Sequence, residues 1–324
     1  MDTTIHRLRG RDQFLTEQQL SRIHESELAR FEELAERMPV PVVASHTSAL
    51  KLLGVELPER YLGPFAPDSL HIVVGSPKAL RKVDGVTMHV NNARLVEEHS
   101  APCGGDFGMV TAELALMQMA ETLDMLELVV LGDCMMRRGV QKQTTKRQLA
   151  LTMNQAGTFR GKRKLMRAIP LMRENTDSSY ETRTRLLLAC RGLGSADVNA
   201  EVSSDRATPW HVDMAYPELM VAIEYDGLFH MTDVIQQEQD KQKRGHLRSR
   251  SWEMFEITKM RLATPEARDA VADDVAHAFG RALDMPIRPL PCIPIRQLAD
   301  RRSRYRAAGL ELPQLERFFI NPPE

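Results

Sequence analysis

The stretch HVDMAYPELMVAIEYDG, residues 211 to 227, decides how the chain is read. Val212, Met214 and Tyr216 alternate with Asp213 and Ala215, and Val221, Ile223 and Tyr225 alternate with Ala222, Glu224 and Asp226. A period of two on either side of a short break holding Pro217 and Glu218 predicts a half-buried β-hairpin. With Tyr216 facing Val221 across the turn, Asp213 faces Glu224 at a Cβ separation of about 4.5–5.5 Å. Asp226 projects from the same face, Ala222 leaves room beside the acids, and Gly227 ends the strand. Apolar side chains flank all three carboxylates, and like charges withdrawn from water raise one another's pKa unless a cation compensates. A divalent ion shared by Asp213 and Glu224 is the expectation. The competing possibility is a surface hairpin whose acids merely face solvent.

The surrounding pieces resemble a known family. Glu181 sits in Tyr180-Glu181-Thr182-Arg183, followed by Arg185 and Leu186 to Leu188, ahead of the hairpin. Behind it come His230, then Asp240, Lys243 and Leu247 on a helical spacing, and a last apolar strand from Trp252 to Thr258. From about Ser178 to Thr264 this order resembles the very-short-patch-repair (Vsr) endonuclease-like domain of unknown function, within the restriction-endonuclease-like, or PD-(D/E)xK, superfamily. The resemblance implies an α/β/α domain with Glu181, Asp213, Glu224, Asp226, His230 and Lys243 as catalytic residues. Asp226 stands where the superfamily more often has a lysine. The missing positive charge would then come from Lys243 or Arg244 on the following helix, while Asp226 completes a ligand shell or helps hold a second ion.

Two of these positions carry a purely structural alternative. Ser178 and Glu181 have the spacing of a capping box, which would by itself explain the acid. His230 titrates near neutrality and could shuttle a proton or bond the scissile phosphate, but lone loop histidines are commonly structural.

Residues 41 to 138 resemble the C-terminal part of AbiEi-type antitoxins. The stretches that carry this are Ser45 to Leu50, Leu70 to Val74, Gly85 to Val90 and Val110 to Ala120. Such antitoxin-like regions often precede the nuclease-like domain in bacteria, so a toxin or another protein is an implied partner. Leu70 to Val74 and Val86 to Val90 read as strands, and Thr111 to Ala120 and Leu123 to Arg138 as helices with a Met-rich apolar face suited to a core.

The rest of the chain divides by composition. Residues 1 to 40 form a charged helical segment without the rhythm of a winged helix. Residues 139 to 177 form a basic connector with Lys142, Lys146, Arg147, Arg160, Lys162, Arg163, Lys164, Arg167 and Arg173, either a solvated helix or a phosphate-contacting face. The nuclease-like domain spans 178 to 283, its last helix opened by Thr264, Pro265 and Glu266. Residues 284 to 324 are a Pro-rich tail.

At 324 residues the chain can hold two domains, and a net charge of −1 requires any basic surface to be local. Neither a membrane-length apolar run nor a signal-peptide core is present, which makes the cytoplasm the expected location and a membrane partner unexpected. The four cysteines include no Cys-x-x-Cys pair, against a zinc knuckle or disulfide framework. The expectation is an α/β protein of two domains, a mixed one and a restriction-endonuclease-like one. It would hydrolyse DNA with an Mg²⁺- or Mn²⁺-activated water, and Lys241, Lys243, Arg244, Arg248 and Arg250 would lie along the backbone. The alternative is a catalytically silent, DNA-binding or antitoxin-like regulator.

Overall fold

In the computed structural model, residues 17–62, 68–202, 209–226 and 234–300 are described. Gly227 and His230 lie outside them. The chain is α/β and falls into two units that divide between Met172 and Arg173.

In the N-terminal unit, α1 (Glu17–Arg37) buries Leu20, Glu27, Phe31 and Leu34 along one helical face. Its apolar positions join β1 (Val42–Ala44), α2 (His46–Leu52), β2 (Leu70–Val74) and β5 (Phe107–Val110) in one core built on Phe31, Leu34, Val42, Ala44, Leu52, Leu70, Ile72 and Phe107. With β3 (Val86–Val90) and β4 (Ser100–Pro102), the strands form a sheet of order β3-β2-β1-β5-β4. β2 and β3 run parallel, with His71 beside Thr87 and Val73 beside His89. The short helix α3 (Ala93–Glu98) follows β3, its first turn capped by the Asn92 side chain.

The Met-rich segments form α4 (Ala112–Met119) and α5 (Met125–Met135), buried at Leu114, Met117, Met119, Leu128 and Met135. α6 (Lys146–Gln155) then packs on α4, and α7 (Lys162–Ala168) on α5. Between their cations, Leu149 and Met153, then Leu165 and Ile169, recur at helical spacing and are buried. The basic stretch from 139 to 172 is therefore part of this unit's core. Several of its charges serve that packing: Lys164 donates to the carbonyls of Glu121 and Leu123, and Arg160 pairs with Glu121 at 3.2 Å.

The C-terminal unit runs α8 (Ser179–Cys190), β6 (Asp197–Glu201), β7 (His211–Tyr216), β8 (Val221–Asp226), α9 (Val234–Ser249), β9 (Glu253–Thr258), α10 (Lys259–Leu262), α11 (Pro265–Leu283) and α12 (Ile295–Ala299). β6, β7 and β8 form an antiparallel meander, and β9 adds parallel to β8 after the α9 crossover. One face packs Met214, Tyr216, Val221, Ile223 and Ile257 against Tyr180 and Leu188 of α8 and Val271, Val275 and Phe279 of α11. On the other face Ala215 and Ala222 meet Leu247 of α9, with Trp252 and Met254 alongside. Helices thus cover both faces of the sheet. Thr264 caps α11, its hydroxyl accepting the Ala267 N–H at 3.1 Å, with Pro265 opening the helix. The beginning of the Pro-rich tail lies along the end of α8, where Leu290 N–H bonds the Arg191 carbonyl and Ile293 N–H that of Cys190. Among the described residues no helix is long and apolar enough to cross a membrane.

Candidate active site

The hairpin forms in the register its alternation dictates. Tyr216 pairs with Val221, Ala215 with Ala222 and Met214 with Ile223. The paired ladder ends at Met214 and Ile223, one residue short of Asp213 and Glu224, and there Oδ2 of Asp213 accepts the N–H of Tyr225, the residue after Glu224, at 2.8 Å. The turn is made by Pro217 to Leu219 and closed by Met220 in the left-handed region, φ 53°. Small side chains at Ala215 and Ala222 let α9 approach the acidic face, while Tyr225 points to the opposite face and stacks on Tyr180 with ring centroids 4.8 Å apart.

α9 brings the cations. Lys243 is ion-paired with Glu224, both side chains largely screened from solvent at 16% and 21% exposure. One residue on, Arg244 pairs at 2.7 Å with Glu256, which neighbours Glu224 across the parallel β8–β9 ladder. Asp226 is exposed at the end of β8. Among the described residues, Glu224 and Glu256 thus lie side by side on β8 and β9 with Lys243 and Arg244 over them, and Asp213 stands beside Glu224's neighbour Tyr225. Lys241 and Arg248 lie exposed on the same helix, and Arg250 is exposed just beyond its end.

Glu181 occupies a different environment. It is 6% exposed at the start of α8, its own N–H donating to Oγ of Ser178 at 3.2 Å and its carboxylate accepting the N–H of Asp177 at 3.0 Å. The first bond satisfies a donor that a helix N-terminus leaves open and the second ties back the residue before the N-cap, so its capping role is built. His230 falls outside the described residues.

Glu256 is the member of the cluster that the sequence pattern did not single out. It alternates with Phe255 and Ile257 in β9, and only the parallel pairing with β8 puts it beside Glu224. Asp213, Glu224 and Asp226 do not gather into a three-ligand cage: among the described residues, the one group of three or more His, Cys, Asp or Glu whose ligand atoms all lie within 4.8 Å of one another is His46, His71 and His89, in the N-terminal unit. Comparison of the chain with protein-family models, with curated proteins and with solved structures finds no match.

Proposed function

We propose that the C-terminal unit is a divalent-metal-dependent endonuclease acting on DNA. The observation that carries this is the convergence of Asp213, Glu224 and Lys243, two acids from the central strands β7 and β8 and one cation from the crossover helix, on one face of the sheet. The order α8-β6-β7-β8-α9-β9, with its antiparallel meander and parallel last strand, supports the resemblance to the restriction-endonuclease-like superfamily.

Carboxylate oxygens are the donors that Mg²⁺ and Mn²⁺ prefer, and a two-carboxylate site suits an ion that keeps several of its waters. Asp213 and Glu224 would hold it. An ion held there would supply a water of lowered pKa and offset charge on the phosphate oxygens. The protein's own part is positioning. The Tyr225 N–H fixes the Asp213 carboxylate, and β8 carries Glu224 past it in a rigid ladder. Lys243 holds a positive charge beside Glu224, where it can pass to a non-bridging or leaving oxygen as charge develops. Lys241, Arg248 and Arg250 supply an exposed basic face for backbone phosphates, and binding through them should weaken with log salt concentration at about −0.9 per phosphate neutralised.

The test is cleavage of supercoiled and linear DNA by the purified chain with Mg²⁺, Mn²⁺ or EDTA, alongside Asp213→Asn and Glu224→Gln. Each substitution should abolish cleavage and Mn²⁺ uptake at this site without unfolding the protein, since the carboxamide keeps the shape and removes the charge. Unaltered activity in both variants would overturn the assignment.

A specific observation favours a second reading, a catalytically silent regulator that binds DNA or a toxin-like protein. Asp213 and Glu224 already have protein partners in Tyr225 and Lys243. Salt-dependent DNA binding that persists in EDTA without cleavage under any metal would select this reading. Salt-independent association with a protein would point to the antitoxin-like form of it.

A further inference from the structure

Three single histidines, far apart in sequence, meet in the N-terminal unit. His71 and His89 lie on the neighbouring parallel strands β2 and β3, offset by two residues, so that both project from one face. His46 opens α2 where the chain leaves β1. The Nδ1 of His71 and the Nε2 of His89 are 2.8 Å apart, and the His46 ring stacks on that of His89 with centroids 3.6 Å apart. All three offer one ligand nitrogen within 4.8 Å of the others.

The surroundings hold these rings in place. Ser45 is the N-cap residue of α2, yet its hydroxyl makes no cap hydrogen bond; it lies 3.0 Å from Nδ1 of His46. The His46 N–H donates to Oε1 of Gln118 at 3.0 Å, and the backbone there is held at φ 50°, a left-handed conformation that non-glycine residues adopt uncommonly. The His71 N–H donates to Oγ of Ser48, which in turn donates to the buried Glu27. Lys51 and Arg30 both pair with that carboxylate at 3.3 Å. Nε2 of Gln118 is buried without a hydrogen-bond partner among the described residues.

We propose that His46, His71 and His89 form a binding site for a divalent transition-metal ion of the Zn²⁺ class, with one coordination position open. The donor set is imidazole throughout, which suits Zn²⁺, Co²⁺, Ni²⁺ or Cu²⁺ and not the oxygen-preferring Mg²⁺ or Ca²⁺. Zn–N bonds of about 2.0–2.1 Å in a tetrahedral shell put ligand nitrogens roughly 3.3 Å apart, so the His71–His89 contact need open by only about half an ångström. Three histidines and a fourth, exchangeable ligand are the composition of an open zinc site rather than a closed structural one. Ser45 would be the outer partner that fixes the ring of His46, as metal-bound histidines generally require. Gln118 offers an amide donor next to His46 for a water or anion in the open position. Burial also lowers the pKa of each ring, helped at His46 by His89 and His71 and at His71 by His89 and the Lys51 ammonium, that of His46 to about 3 and that of His71 to about 4, which keeps the imidazoles in the neutral form a metal needs.

The full chain, stripped with a chelator and dialysed, is titrated with Zn²⁺ by calorimetry and with Co²⁺ by visible absorption, which reports four-coordinate geometry. About one equivalent bound in the N-terminal unit is expected. His71→Ala and His89→Ala should lose it by more than the roughly 10–100-fold that Ser45→Ala costs as the loss of an outer partner. The exposed His277→Ala and the Asp213→Asn variant should keep it. Because His71 sits inside the sheet, His89→Gln on the edge strand β3 provides a milder variant, and circular dichroism confirms that each variant is folded. No Zn²⁺ or Co²⁺ uptake by the wild-type chain would overturn the proposal, as would uptake unchanged in folded His89→Gln and His89→Ala.

Discussion

Replacing Lys243 by Met separates what this side chain does for folding, for metal binding and for chemistry. Exposed ion pairs contribute about 0.2–1 kcal/mol, and breaking a fully buried one costs about 3–5 kcal/mol. At 16% and 21% exposure the Lys243–Glu224 pair lies between these limits, nearer the surface value once solvent screening is counted. Lys243→Met should therefore cost about 1–2 kcal/mol, a fall in Tm of about 3–8 °C for a domain of this size. Affinity for Mn²⁺ should rise, because the carboxylate of Glu224 is released from its ammonium partner. Turnover should fall by about 10²–10³, the usual consequence of removing one preorganised electrostatic stabiliser. Arg244→Met is the matched control: its pair with Glu256 is 36% and 45% exposed, so about 0.5 kcal/mol or less is at stake. Plasmid nicking, Mn²⁺ calorimetry and thermal denaturation give the three readouts on the same preparations. If Arg244→Met cripples cleavage and Lys243→Met does not, the cation is misassigned; if Mn²⁺ binding weakens in Lys243→Met, the lysine organises the acids rather than competing for them.

Glu181→Gln keeps an acceptor for the Asp177 N–H and should cost little stability, whereas Glu181→Ala should cost about 1 kcal/mol as a lost cap. Cleavage retained by Glu181→Gln would remove this residue from the catalytic set. The thiol of Cys292 is lowered to about 6 by its hydrogen bond with Cys190, assisted by Arg191 and Arg268 against the opposing effect of burial. Alkylation at Cys292 should thus rise through pH 6 and level off above it, and Cys190→Ala should move the midpoint up; a wild-type midpoint near pH 8.5 would refute this. Gly161 has φ 82°, and a Cβ there would lie 2.5 Å from the backbone of Ala120, so Gly161→Ala should cost about 3 kcal/mol from strain and overpacking. Gly157→Ala, at φ 63° with open space around it, should cost only about 1 kcal/mol in the same denaturant titration.

Local rules made the C-terminal unit readable. Alternation fixed the Tyr216–Val221 register, the Ser178 and Thr264 caps marked two helix starts, and Gly192, at φ 78°, follows α8 as a C-terminal glycine should. What escaped depends on contacts between distant segments. Lys243 and Arg244 on α9 show an i,i+3 and i,i+4 relation to Asp240, which suggests pairing within the helix, yet they also reach Glu224 and Glu256 on the sheet below. Charge spacing cannot reveal this, because the choice between a helical neighbour and a strand neighbour is made by the packing of Leu247 on Ala215 and Ala222.

The histidines are the sharper case. His46, His71 and His89 each lie inside a stretch whose strand or helix signal is clear, and each taken alone is an unremarkable polar residue on an otherwise apolar element. Their meeting requires β2 and β3 to pair in parallel with a stagger that sets Val73, not His71, beside His89, and requires α2 to start where β1 crosses next to β2. Parallel pairing needs a crossover whose register no local pattern specifies. The C-terminal hairpin was legible because one turn fixes its register, whereas the histidine cluster depends on two strand pairings that bring three distant segments together.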